Sequence, residues 1–168
     1  PILAARPLGH LLGGTLWRPA QGQFGFYPFL MGTLWVTGVA MVLAVPPCLL
    51  SAIYLAEYAQ PSWRAVMVPL LDLLGGIPSV VYGVWGVLTI VPWVQRTVAP
   101  RFAGQNPTGY SVLAGGIVLA VMVAPVIIPV ADEVLRAVPA GLREASLAVG
   151  ATQWQTIRHA VLPRALPG

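Results

Sequence analysis

Three stretches of this chain carry no charged side chain, and each is longer than a bilayer is thick. Between Arg18 and Glu57 lie 38 uncharged residues, between Asp72 and Arg96 lie 23, and between Arg101 and Asp132 lie 30. A helix needs roughly 20 apolar residues to cross a hydrocarbon core, so each stretch is long enough for one crossing. Composition agrees. A soluble domain carries about 25% charged residues because its surface must be polar, whereas only 8% of these 168 residues are charged and 57% are hydrophobic. The chain therefore reads as an all-α membrane protein with kinked transmembrane helices at about residues 29–56, 66–94 and 111–131. A first segment, 1–28, precedes them, and a partly charged segment, 132–168, follows.

What is missing excludes several functions. The chain has no lysine, which rules out a phosphate-binding loop of the GxxxxGKS type and a Schiff-base lysine. It is not read as an enzyme, and no catalytic residue or cofactor is assigned. Cys48 is the only cysteine, so neither a disulfide framework nor a cysteine metal site is available. His10 and His159 share no partner spacing with Asp or Glu that suits a metal or a triad. The net charge of +4 comes from nine arginines scattered over both ends and two loops; they form no basic stripe, so nucleic acid is not a partner.

The first 28 residues are rich in Gly and Pro and end in QGQFGFYPF, where Phe24, Phe26, Tyr27 and Phe29 resemble an interfacial aromatic belt. They contain no apolar run long enough for the core of a signal peptide. The chain opens on Pro1 and stops at Gly168 within a hydrophobic pattern, which reads as a fragment of a longer membrane protein. Seven prolines interrupt the spans: Pro46, Pro47, Pro69, Pro78, Pro92, Pro125 and Pro129. Each lacks a backbone donor and clashes with the preceding turn, and a membrane tolerates that only where neighbours satisfy the freed carbonyls. Bent helices of a transport pathway fit this load better than a simple anchor. Ser62, after Pro61, is placed as an N-cap for the second span, and Gly75-Gly76-Ile77-Pro78 is a breaker cluster within that span. The loop from Gln95 to Tyr110 is read as lying in water.

From Asp132 onward charge returns, yet apolar residues still recur at helical spacing. Leu142, Ala145 and Val149 fall at i, i+3, i+7, and Trp154, Ile157 and Val161 do the same. The pattern predicts two short amphipathic helices joined at Gly150, which suits a left-handed helix end. Thr152 and Gln155 make a capping-box pair for the second helix.

Residues Glu144-Ala145-Ser146, then Gly150, Ile157 and Leu162-Pro163 resemble the EAA loop of bacterial ABC importer permeases, with Ser146 in place of the second alanine. FLMGTLWVT (Phe29 to Thr37), SAIYLAEYA (Ser51 to Ala59) and LLGGIPSVVYGVWG (Leu73 to Gly86) look like the membrane subunits of the phosphate-specific importer. Two homologous types occur per complex, and PWV at Pro92 to Val94 with the FGFYPFL stretch inclines the resemblance to the C-type over the A-type. It implies the MetI-like fold of a type I importer, incomplete here, since members carry five or six spans. It further implies a bacterial cytoplasmic membrane, a cytoplasmic ABC ATPase dimer, a second homologous permease subunit and a periplasmic phosphate-binding protein as partners. The segment 132–168 then contains the cytoplasmic coupling loop and the start of the next span, and 1–28 lies on the periplasmic side. Glu144, Ala145, Ser146, Gly150, Ala151 and Thr152 are the implied ATPase-coupling residues.

Several residues keep two readings. Gly75, Gly76, Pro78, Ser79 and Tyr82 are candidate pathway residues, because amides freed at a broken helix suit an anion; small residues also serve close helix packing, and Tyr82 equally suits a hydrogen bond to a neighbour. Asp72 is either functional or an interfacial contact. Arg96 and Arg101 either attract an anion or are simply solvated. Glu144 either meets the ATPase or sits as a surface carboxylate near Arg143 or Arg158. The arginine distribution, five on the implied inner side and four on the outer, does not set orientation, which rests on the motif. A permease for another oxyanion, sulfate or molybdate, and a non-transporting membrane scaffold remain as alternatives.

Overall fold

The structure is a computed structural model that describes residues 13–18, 25–102 and 108–166. Phe24 of the aromatic-belt stretch, the middle of the Gln95 to Tyr110 loop and the last two residues lie outside the described residues. The described residues form helices and no strand. In order these are α1 (Tyr27–Glu57), α2 (Pro61–Gly75), α3 (Ser79–Trp85), a π-helical turn (Gly86–Ile90), α4 (Val91–Thr97) and α5 (Ala99–Phe102). There follow α6 (Val112–Arg136), α7 (Ala140–Ala148), α8 (Gln153–Thr156), a second π-helical turn (Ile157–Val161) and α9 (Leu162–Ala165). Two of these, α1 and α6, are long and apolar enough to cross a membrane, and α2 with the helix from Ser79 to Thr97 makes a third if that bent pair is one span.

Helix ends follow local chemistry. Ser111 caps α6, its Oγ accepting from the Ala114 amide at 3.2 Å. At α2 the cap is Gln60 with Pro61 in the first turn, which corrects the expectation for Ser62: proline's fixed φ and missing donor suit the first helical position, so the helix begins two residues earlier. Pro46 and Pro47 lie inside α1, and Pro125 and Pro129 inside α6, without ending either helix. Nor does α6 stop where charge returns at Asp132; it runs on to Arg136, because Asp132 is neutralised where it stands, as described below.

The chain divides into two compact units, Pro1–Val42 with Gly83–Leu119, and Leu43–Tyr82 with Ala120–Gly168. In the first, glycine sets the distance between helices. A Cβ on Gly116 would stand 2.5 Å from Val39 Cγ1, and one on Gly86 would stand 2.4 Å from Val118 Cγ2. Only hydrogen fits, which is how small residues bring membrane helices close enough for dispersion to hold them. Trp17 packs on Phe26 and Phe29 at ring separations of 5.4 and 5.3 Å.

In the second unit α1 presents Ala44, Cys48 and Ala52, all buried and four residues apart, so they form one stripe. Ala44 and Cys48 pack with Ala120 of α6. Ala52 and Ile53 join Leu135, Val138, Ile157, Val161 and Ala165 in the larger core. Apart from Ile53 and Leu55, the large apolar side chains on this part of α1, including Leu50 at 60% exposure, lie outside these contacts. That inversion, small residues inside and large ones outside, is the arrangement of a helix whose outer solvent is lipid or another apolar helix.

Candidate functional site

The helix-glycine-helix segment lies in the second unit. α7 ends on a closed motif: Gly150 donates to Leu147 O at 2.9 Å and Ala151 to Ser146 O at 3.3 Å, with Gly150 at φ +88°. These are the paired bonds of a Schellman end, which require the left-handed conformation at that residue. Thr152 then starts α8 with a complete capping box: Gln155 N donates to Thr152 Oγ1 at 3.3 Å and Thr152 N to Gln155 Oε1 at 2.8 Å. The Ser146 and Thr156 hydroxyls lie 3.0 Å apart, joining the two helices across the turn.

The inner face of this pair is anchored by Ile157 and Val161, 1% and 0% exposed. The apolar spacing holds only in part. Leu142 packs against the core, but Ala145 is exposed and Val149 is 84% exposed. Trp154 is half exposed while Ile157, three residues on, is buried; a three-residue step leaves the two about 60° apart around the helix, so the tryptophan stands at the edge of the buried face. The outer face thus gathers Glu144, Ala145, Leu147, Val149, Gly150 and Thr152, all exposed. Glu144 has no ion pair among the described residues; its neighbour Arg143 turns inward. His159 is exposed, with Nδ1 3.1 Å from Gln155 O.

Two part-buried ion pairs lie in this unit, one tying the segment to α1 and the other tying α2 to α6, and sequence reasoning missed both. Arg143 Nη2 lies 2.8 Å from Glu57 Oε1, with Nε 3.1 Å from the same oxygen. Its Nη1 donates to Val138 O at 2.6 Å and Nη2 to Leu135 O at 2.8 Å. Gln153 Nε2 donates to the Glu57 carbonyl at 2.9 Å. The second pair is Arg64 Nη2 to Asp132 Oδ2 at 2.6 Å, with Arg136 Nε adding a contact to Oδ1 at 3.4 Å. A sequence signal did exist: three of the five acidic residues, Glu57, Asp132 and Glu133, sit where apolar stretches end, and a carboxylate there needs a cation.

At the break between α2 and α3, Gly76 closes the first helix with its amide bonded to Asp72 O and Leu73 O. Tyr82 Oη donates to Leu74 O at 2.9 Å, a carbonyl that also accepts from the Ile77 amide at 3.2 Å, so its hydroxyl ties α3 back to the end of α2. A Cβ at Gly75 would meet nothing closer than Pro125 O at 4.0 Å, and one at Gly76 only its own preceding turn. Close packing therefore does not explain either glycine among the described residues. Gly75, Gly76, Pro78, Ser79 and Asp72 are all exposed and Tyr82 is half-buried. The structure brings these residues together with one another and not with the helix-glycine-helix segment. The second unit also holds two hollows of about 450 and 520 Å³. The larger is lined by apolar side chains alone, among them Leu49, Ile53, Val130 and Leu162, which gives an anion no partner. No group of three or more His, Cys, Asp or Glu side chains suited to a metal occurs among the described residues.

An all-α chain with membrane-length helices, followed by a rigid helix-glycine-helix segment, defines a class: residues 48–168 match the family described as the binding-protein-dependent transport system inner membrane component, and the chain belongs to that family. Among similar proteins, the probable ABC transporter permease protein YqgH of Bacillus subtilis is 40% identical over 154 residues, 90% of this chain and 48% of its own length. The phosphate transport system permease protein PstC of Haemophilus influenzae is 34% identical, covering 92% of this chain and 53% of the relative. PstC of Xylella fastidiosa strain 9a5c is 35% identical, over 89% and 50%. The chain spans about half the length of these curated relatives. No solved structure matches it.

Proposed function

We propose that this chain is part of a permease subunit of an ATP-driven inorganic phosphate importer, of the C-type, in a bacterial cytoplasmic membrane. The observation that carries the coupling role is the outer face of α7 and α8. A segment whose inner face is fixed by Ile157, Val161 and the Arg143–Glu57 ion pair, yet which leaves Leu147, Val149 and Glu144 exposed, is built to receive a partner. Apolar side chains around one free carboxylate on a rigid turn suit a protein groove better than open water. Glu144, Ala145, Ser146, Gly150, Ala151 and Thr152 would form that contact, with a cytoplasmic ABC ATPase dimer as the partner. The relatives named for phosphate transport support the cargo.

In this reading the crossings are α1, the bent pair α2 and Ser79–Thr97, and α6, with the first residues and residues 98–110 on the outer side. A second permease subunit and a periplasmic phosphate-binding protein complete the assembly. Gly75, Gly76, Pro78, Ser79 and Tyr82, exposed at the helix break, are the proposed contribution to the pathway. ATP hydrolysis on the partner would move the α7–α8 segment, and the spans would relay that movement as alternating access.

The test is to purify the intact permease with its ATPase, replace Glu144 with Ala and Gly150 with Val, and measure phosphate uptake and ATP turnover in proteoliposomes. Loss of binding-protein-stimulated ATP turnover is expected for both. Unchanged assembly with unchanged coupled turnover refutes the coupling role, and uptake of sulfate in place of phosphate refutes the cargo.

A further inference from the structure

Arg143 lies inside the motif segment yet faces away from the surface proposed for the ATPase. Its guanidinium has five donors, and four of them are used on three different pieces of chain. Nε and one Nη2 hydrogen reach the Glu57 carboxylate at the end of α1. The other Nη2 hydrogen reaches Leu135 O in the last turn of α6, and Nη1 reaches Val138 O in the link to α7. The pair is sheltered, with side-chain exposures of 21% for Arg143 and 9% for Glu57. Gln153 of α8 closes the junction by binding the Glu57 carbonyl at 2.9 Å.

We infer that Arg143 is a positioning residue that fastens the α7–α8 segment to the ends of α1 and α6 together, so that a displacement of the segment reaches both spans as one movement. This rests on the coupling function proposed above. A planar fork bound on several edges fixes orientation as well as distance. The backbone link through Ala137 to Pro139 constrains α6 alone, and the packing of Ala52 and Ile53 of α1 on Ile157 and Val161 is apolar and non-directional, so it resists separation better than sliding. Glu57 is what brings α1 into the joint, and nothing else on α1's last turn carries a charge.

The test uses the intact permease, assembled with its ATPase and binding protein in proteoliposomes, and reads phosphate moved per ATP hydrolysed. Arg143→Lys keeps the charge and loses the fork; Glu57→Gln keeps an acceptor and loses the charge. Both are expected to assemble and to hydrolyse ATP, while the transport ratio falls about fivefold or more, the scale of an ordinary coupling free energy. Glu57→Asp, one methylene shorter, is expected to fall between wild type and Glu57→Gln. A merely structural role lowers assembly, turnover and transport in proportion and leaves the ratio per assembled complex unchanged, which overturns the inference. Failure of all three variants to assemble overturns it also, by assigning the pair to folding. If the wild-type complex itself shows no ATP-driven phosphate movement, the proposed function fails and the inference goes with it; a working wild type with unaltered variant ratios sinks the inference alone.

Discussion

Replacing Arg64 with Met leaves the Asp132 carboxylate in a place where water barely reaches, at 5% side-chain exposure. Arg64 supplies the two bonds at 2.6 and 3.3 Å, and the contact that survives is Arg136 Nε at 3.4 Å from a side chain 45% exposed. Breaking a buried pair on one side costs about 3–5 kcal/mol, because the remaining charge stays desolvated. Arg136 still offsets part of this, so the lower end, about 3 kcal/mol, is expected. Removing both charges, in Arg64→Met with Asp132→Leu, leaves nothing uncompensated, and apolar replacement of a buried pair is often neutral or better. The double variant should therefore stand within about 1 kcal/mol of wild type, with a coupling energy of roughly 2 kcal/mol between the sites. Equilibrium unfolding of the intact protein in mixed micelles, followed by tryptophan fluorescence, measures all four corners of the cycle. A cost below about 1 kcal/mol for Arg64→Met, as exposed pairs show, or a double variant as unstable as the sum of the singles, refutes the reasoning.

Three further outcomes follow from local geometry and are read by the same unfolding measurement. Gly150→Ala meets no atom within 4 Å, so its cost is backbone strain alone at φ +88°, about 1–2 kcal/mol, and Gly150→Asn should cost less. Gly116→Ala drives a methyl into Val39 Cγ1 and Cβ, at 2.5 and 3.0 Å, and should cost about 1–3 kcal/mol as an overpacked contact. Thr152→Ala removes one half of the capping box and should cost about 1 kcal/mol, with Thr152→Ser restoring most of it.

The parts of the fold that depend on neighbours in sequence were legible there. Helix ends at Gly150 and Thr152, and the break at Gly76 to Pro78, follow from φ preferences and missing donors, which are local. The two ion pairs were not, because Glu57 and Arg143 lie 86 residues apart and Arg64 and Asp132 lie 68 apart; only folding brings them together. Trp154 misled for another reason. Its spacing to Ile157 fits a 3.6-residue repeat, but a three-residue step still separates the two by about 60° around the helix, enough to bury one and leave the other at the edge. Pro61 and Ser62 show two local rules in competition, and the proline, which has no alternative φ, prevailed. Membership of the permease family was carried by the EAA-like pattern itself, whose glycine and small residues are the ones the turn between α7 and α8 needs.

Cys48 sits in the middle of the small-residue stripe of α1, 3% exposed against Ala120, and it is the only thiol this chain contains. A maleimide reaches it only when α1 and α6 part at that level, so alkylation rate becomes a built-in gauge of helix separation. With nucleotide or substrate varied, one native atom would report whether these two helices breathe or stay clamped during a turnover.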